Sequence, residues 1–269
     1  MFMREAAVAG QFYPGRSGEL RKAVEMFVHR PEAGLLDASG ILVPHAGYIY
    51  SGAVAGKVFS SVRLPKRFIL LGPNHSGRGA ALALAPAGTW RTPLGNVSID
   101  ADMNGRLMKA YPGLQEDPSA HRVEHCLEVQ IPFLQVLQSE LTFSAICLRT
   151  MDYSDLESLG HAMAQAIRAA DEPVLLVASS DMTHYEDANT AARQDQFAID
   201  RILAIDAMGL YRVVIEKNIS MCGVAPTVAV LIACADLGAA SARLIHYTNS
   251  GEPSGDYDRV VAYAGIAIQ

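Results

Sequence analysis

Five short runs of unbroken hydrophobic residues constrain this chain most. They are "ILVP" (41–44), "RFILLG" (67–72), "TFSAICL" (142–148), "PVLLVASS" (173–180) and "RVVAYAGIAI" (259–268). A strand with one wet face alternates apolar and polar residues, whereas a continuous run signals a strand covered on both faces. Segments with the period of a helix lie between several of these runs, at 18–29, 52–61, 101–111, 154–170, 188–205 and 224–237. The expected fold is therefore α/β, a central mainly parallel or mixed sheet flanked by helices. The 269 residues are 50% hydrophobic and 19% charged, enough to bury a sizeable core. No Ser/Gly linker, low-complexity tract or repeat marks a boundary, so one domain over residues 1–269 is expected.

The formal net charge is −6 and no block of Lys/Arg appears, which argues against nucleic-acid binding. The start, "MFMREAAVAGQFYPG", lacks the basic opening and continuous apolar core of a signal peptide. No run of about 18 apolar residues suggests a membrane span. The longest candidate, "GVAPTVAVLIACADLGAA", is interrupted by Pro226 and carries Asp236, and reads as a buried helix. Cys126, Cys147, Cys222 and Cys234 are scattered without paired spacing, unlike a zinc ribbon or a disulfide framework. A cytoplasmic location is the expectation.

Three of the apolar runs stop in the same way. "ILVP" leads into His45, "RFILLG" into "PNHSG" with His75, and "PVLLVASS" into "DMTHYED" with His184. Ligands of open α/β sheets bind outside the carboxyl ends of the strands. Histidines delivered to that edge are expected to converge on one cleft, as metal ligands, acid–base groups or both. A single one of them would more simply cap a turn; the repetition favours function.

A fourth histidine region is "SAHRVEHCLEVQIPFLQVLQ". His121 and His125 are four apart, as are Glu124 and Glu128, so on a helix each pair would share a face. Pro132 would kink that helix or mark a first turn. Glu128 is balanced between function and a solvated charged face, and His125 leans to function beside inward-facing Cys126 and Leu127. Trp90 in "TWRTPLG" is balanced between a cleft rim, where a peptide or partner would bind, and ordinary core. The chain has no Walker A loop, dinucleotide fingerprint, HExxH or Gly-x-Ser-x-Gly elbow.

Cys222, in "SMCGVAPTVAV", has three readings: a metal ligand, a nucleophile activated by His184 or His45, or an inert core thiol. A helix starting at "GVAPTVAV" would favour its thiolate. Cys147 and Cys234, inside apolar runs, are expected to be core.

Taken in order, "VAGQFYPG", "PHAGYIYSG", "LLGPNHSG", "TWRTPLG", "AHRVEHCLEVQIPFLQ", "ASSDMTHYE", "MCGVAPTVAV" and "YAGIAI" resemble the Memo family over nearly the whole chain. Members of that family resemble class III extradiol dioxygenases, which hold non-haem Fe(II) by two histidines and a carboxylate. The resemblance implies a class III extradiol dioxygenase-like α/β domain with one cleft. It implies His45, His75 and Cys222 as metal ligands, with cysteine where the dioxygenases place a carboxylate. His184 and His125 match the acid–base histidines, with Asp181 nearby, and Glu124 beside His125 is counted with these catalytic groups. Cys126 stands where serine is expected in many relatives. Iron(II) is the expected metal, with copper or zinc as alternatives, because a thiolate is softer than a carboxylate and is itself oxidisable. A redox or dioxygenase-like activity, a peptide-binding role for the cleft, and association with a radical-SAM protein are further implications of the resemblance.

Overall fold

The five apolar runs become five adjacent strands. The structure, a computed structural model, describes residues 2–29 and 34–269. Its strands are β1 (Phe2–Arg4), β2 (Gly40–Val43), β3 (Arg67–Pro73), β4 (Leu82–Leu84), β5 (Gly88–Thr92), β6 (Gly95–Ile99), β7 (Gln115–Glu116), β8 (Thr142–Leu148), β9 (Val174–Ser179), β10 (His184–Glu186), β11 (Ala242–Asn249) and β12 (Val260–Ile268). Its helices are α1 (Ser17–Phe27), α2 (Tyr48–Ser61), α3 (Ala101–Ala110), α4 (Ile131–Leu137), α5 (Tyr153–Arg168), α6 (Ala188–Leu203), α7 (Ala207–Glu216), α8 (Val224–Asp236) and α9 (Gly251–Ser254). The sheet order runs β1-β5-β6-β8-β3-β9-β2-β12-β10. Strands β8, β3, β9 and β2 are parallel neighbours, and β12 joins β2 antiparallel. The sheet is mixed, with a parallel centre.

Burial explains the unbroken hydrophobicity. On β3, Phe68 and Leu70 enter one core cluster and Ile69 and Leu71 enter the other. Leu175 and Val177 of β9 likewise oppose Leu176 and Ala178. Side chains alternate across a strand, so apolar residues at every position mean that both faces are covered. Helices α1, α2 and α4 cover one face, and α3, α5, α6, α7 and α8 the other. Helix α8 is buried from Val224 through Cys234, with Pro226 in the first turn, where a missing N–H costs nothing. Aspartates cap α3, α5, α6 and α7: Asp100, Asp152, Asp187 and Asp206 accept from first-turn backbone N–H groups. Among the described residues, no helix is long and apolar enough to cross a membrane.

The chain leaves β2 through α2 on one face and leaves β9 toward α6, α7 and α8 on the other. Because β2 and β9 are neighbours, their outgoing connections part and open a crevice at the strand ends. Residues 121–127 form no helix. A short 3₁₀ turn (Pro118–Ala120) precedes them, and a second (Glu128–Gln130) leads into α4 with Pro132 in its first turn. The shared helical faces expected for His121/His125 and Glu124/Glu128 therefore do not exist. Prolines at both ends of the stretch and the bonds described below favour an irregular loop.

Candidate metal centre

Strand ends β2 and β3 deliver His45 and His75, and the 121–127 loop folds back to add His125. The ring centroids lie 5.1 Å apart for His45/His75, 5.5 Å for His45/His125 and 4.6 Å for His75/His125. One ring nitrogen from each of the three lies within 4.8 Å of the others, a spacing that suits a shared metal ion. The third imidazole of this trio is His125. His184 stands across the cleft, at the start of β10, and lines the cavity there.

Hydrogen bonds set the tautomers. Ser179 Oγ donates its proton to the Cys126 carbonyl at 2.7 Å and accepts from Gln130 Nε2 at 3.0 Å. A hydroxyl has one proton, so Ser179 accepts from His45 Nδ1 at 2.9 Å. His75 Nδ1 lies 2.9 Å from Glu124 Oε1, a carboxylate that only accepts. When neutral, each ring is thereby left with its lone pair on Nε2, the tautomer of a metal-ligating histidine whose other nitrogen is held by a neighbour. His184 Nδ1 lies 2.9 Å from the Ser220 carbonyl, which leaves its Nε2 in the same state.

Glu124 is the organising anion. Its carboxylate is buried and accepts from the backbone N–H groups of His75 (2.6 Å), His125 (3.0 Å) and Cys126 (3.1 Å), besides the His75 ring. His125 Nδ1 is 3.3 Å from the same carboxylate. Burial opposes its charge, but the His75 bond and the charges of His75 and His125 win, holding the Glu124 pKa at about 2. Burial lowers the His75 pKa, yet Glu124 more than reverses this and raises it. His45 and His125 go down, His45 through burial and its neighbours His75 and His125, and His125 chiefly through burial. The cluster thus favours neutral, metal-ready imidazoles at His45 and His125.

Cys222 closes the opposite side. Its Sγ is 3.2 Å from His45 Nε2 and accepts from the Asp181 N–H at 3.3 Å. Gly223 makes this approach feasible: a Cβ there would collide with the Ser179 carbonyl and the Ser180 side chain. Burial, reinforced by the Asp181 charge, pushes the Cys222 thiol well above the ordinary range. An activated nucleophile needs the reverse, so the metal-free site does not activate this thiol, and a bound metal would have to displace its proton. Asp181 binds the His45 backbone N–H at 2.8 Å through Oδ1, and burial lifts its pKa to about 6. Asp181, His125 and His184 border a cavity of about 450 Å³.

Two residues left open by sequence lie elsewhere. Glu128 is buried and not solvated: it pairs with Arg4 at 2.7 Å and accepts from Ala7 N, Val8 N and Tyr13 Oη. Trp90 is 1% exposed, which removes it from any cleft rim. It packs on Phe143 and lies under the Arg4 guanidinium, 4.2 Å from its centroid. His121 is also buried, beside the Cys147 thiol. Sequence reasoning missed the roles of Ser179, Gln130, Ser220 and Arg4. The polar "SS" ending an apolar strand was the one visible signal for Ser179.

The sequence model of the Memo family, described as Memo-like protein, matches residues 4–267. The chain belongs to the Memo family. A MEMO1 family protein of Methanopyrus kandleri is 40% identical, with 99% of each chain covered. Memo relatives from Aquifex aeolicus (99% of each chain) and Methanosarcina barkeri (99% of this chain, 100% of the relative) are each 38% identical. The crystal structure of an uncharacterised protein from Escherichia coli K12 shares the fold. Its TM-score is 0.56 at 13% identity, covering 84% of this chain and 98% of that one. Family membership fits the order of the quoted motifs, and the α/β fold agrees with the expectation from sequence.

Proposed function

We propose that this Memo-family chain is a metal-dependent redox protein of dioxygenase-like type acting on a small molecule in the cleft. The carrying observation is that His45 and His75 turn Nε2 away from the groups that hold their Nδ1 atoms, and Cys222 Sγ lies 3.2 Å from the first of these Nε2 atoms. That separation suits one ion bound at about 2.0–2.1 Å from nitrogen and about 2.3 Å from sulfur. His45, His75 and Cys222 would hold the metal, iron(II) foremost, with copper or zinc as alternatives that a sulfur donor also suits. The metal would supply redox or Lewis-acid chemistry.

The chain's own groups handle protons. His184, with Nδ1 tied to Ser220, offers Nε2 as a base to the cavity it lines. Asp181, lifted to about 6, can exchange a proton near neutral pH, and burial favours the neutral form of His125 beside it on the cavity wall. Glu124 orients His75 and His125 and stays charged.

The spacing of the three imidazoles favours a second donor set, His45, His75 and His125, with Cys222 beside it. Metal analysis of anaerobically purified protein and its variants separates the two. The first set predicts stoichiometric metal that is lost in both His45→Ala and Cys222→Ala. The second predicts loss in His45→Ala and His125→Ala with retention in Cys222→Ala. Full retention in His45→Ala contradicts both.

A further inference from the structure

The cavity beside the histidines has an asymmetric charge. Asp181 and Asp256 line it, and Arg259 is the only Lys or Arg among its lining residues. Arg259 forms none of the ion pairs found among the described residues. Its guanidinium instead lies over the Tyr185 ring, 5.6 Å from the centroid. An aromatic face steadies a guanidinium while leaving its N–H fork free for an anion.

The backbone beneath this pair is unusual. Tyr185 has φ of 65°, a left-handed conformation that is costly for a bulky residue. It falls within the register shift between His184 and Glu186, where β10 meets β12. A bulge of this kind re-aims side chains. Here it places His184 and Tyr185 on the same cavity as Arg259. Tyr185 is nevertheless 66% exposed, so core packing does not account for the strain. The remaining aromatic lining, Phe12, Tyr50 and Tyr263, gives flat apolar surface.

We propose that Arg259, seated on Tyr185, binds the carboxylate of a small, flat, monoanionic substrate whose body lies against Phe12, Tyr50 and Tyr263. One cation facing two carboxylic residues suits a single negative charge better than a phosphate dianion. The assignment rests on the reading that this cleft serves the histidine cluster, and it names the class of substrate.

Binding of benzoate, benzamide and phenyl phosphate to metal-free protein tests it, read by ligand-observed NMR titration. Metal-free conditions prevent the carboxylate from being held by an ion instead. The wild-type chain should prefer benzoate over benzamide by about tenfold, the scale of one charge-assisted contact. The preference should vanish in Arg259→Gln and survive in part in Arg259→Lys. Phenyl phosphate should bind more weakly than benzoate. Equal binding of benzoate and benzamide by wild type, an undiminished preference in Arg259→Gln, or tighter binding of phenyl phosphate each overturns the proposal. Metal titration of the same proteins is read separately. Loss of the benzoate preference with intact metal binding sinks this inference alone, and failure to bind metal with the preference intact sinks only the metal reading.

Discussion

Glu124 and Glu128 stand four residues apart, both nearly inaccessible to solvent and both saturated with hydrogen bonds, yet they anchor different things. Glu128 is neutralised by Arg4, a permanent cation, and by the backbone of residues 7 and 8. Glu124 is held by backbone N–H groups and by two imidazoles, which can exchange a proton or take a metal. A buried carboxylate locked to arginine can do little but fix the fold. One shared among histidines fixes their tautomers and leaves their outer nitrogens available. What the residue faces, more than its burial, separates structure from chemistry.

The largest expected effect separates the two sites by stability. Glu128→Gln leaves the Arg4 charge buried without its partner and should cost about 3–5 kcal/mol in denaturant unfolding. Metal affinity of the folded protein should be unchanged, because Glu128 touches none of the proposed ligands. A loss of metal binding in a folded Glu128→Gln protein would merge the two sites into one.

The next effect is pH dependence at Glu124 in metal-free protein. Its folded pKa of about 2 lies below the ordinary 4.5, so its contribution is full above pH 4.5 and is lost as pH falls toward 2. His75 acts oppositely: its folded pKa is raised, so its contribution is full below 6.5 and fades as pH rises through the folded value. Urea unfolding at about pH 5 and about pH 2.5 should show wild type losing of order 2 kcal/mol more than Glu124→Gln. Parallel pH profiles for the two would remove Glu124 as the site's fixed charge.

The smallest effect is on affinity. Glu124→Gln keeps the shape but weakens the hold on His75, and metal affinity should fall by about tenfold in a competition titration. Unchanged affinity would reduce Glu124 to a loop staple, like its neighbour.

The sheet centre was legible because both its faces are covered, so its strands carry no polar interruption. The half-exposed β11 and the β5–β6 hairpin gave no such run and were not foreseen. His45 and His75 were legible from their positions just after buried strands. The pairing of Glu124 with His75 was not, because it spans two distant segments and spacing along a supposed helix pointed elsewhere. The same holds for Arg4 and Glu128. Trp90 was undecidable from its own surroundings, since its burial depends on Arg4 and Phe143, which arrive from other strands. The neighbour of Cys222 is equally invisible in its own surroundings, since His45, 3.2 Å from its Sγ, arrives from the end of a different strand.

The proposed metal lies between the strand-end histidines His45 and His75. Anomalous diffraction at the iron edge, from crystals grown anaerobically with iron(II), tests it most directly. One peak is expected within about 2.0–2.3 Å of both His45 Nε2 and His75 Nε2. No peak there at saturating iron, or a peak that leaves either nitrogen uncoordinated, would contradict it.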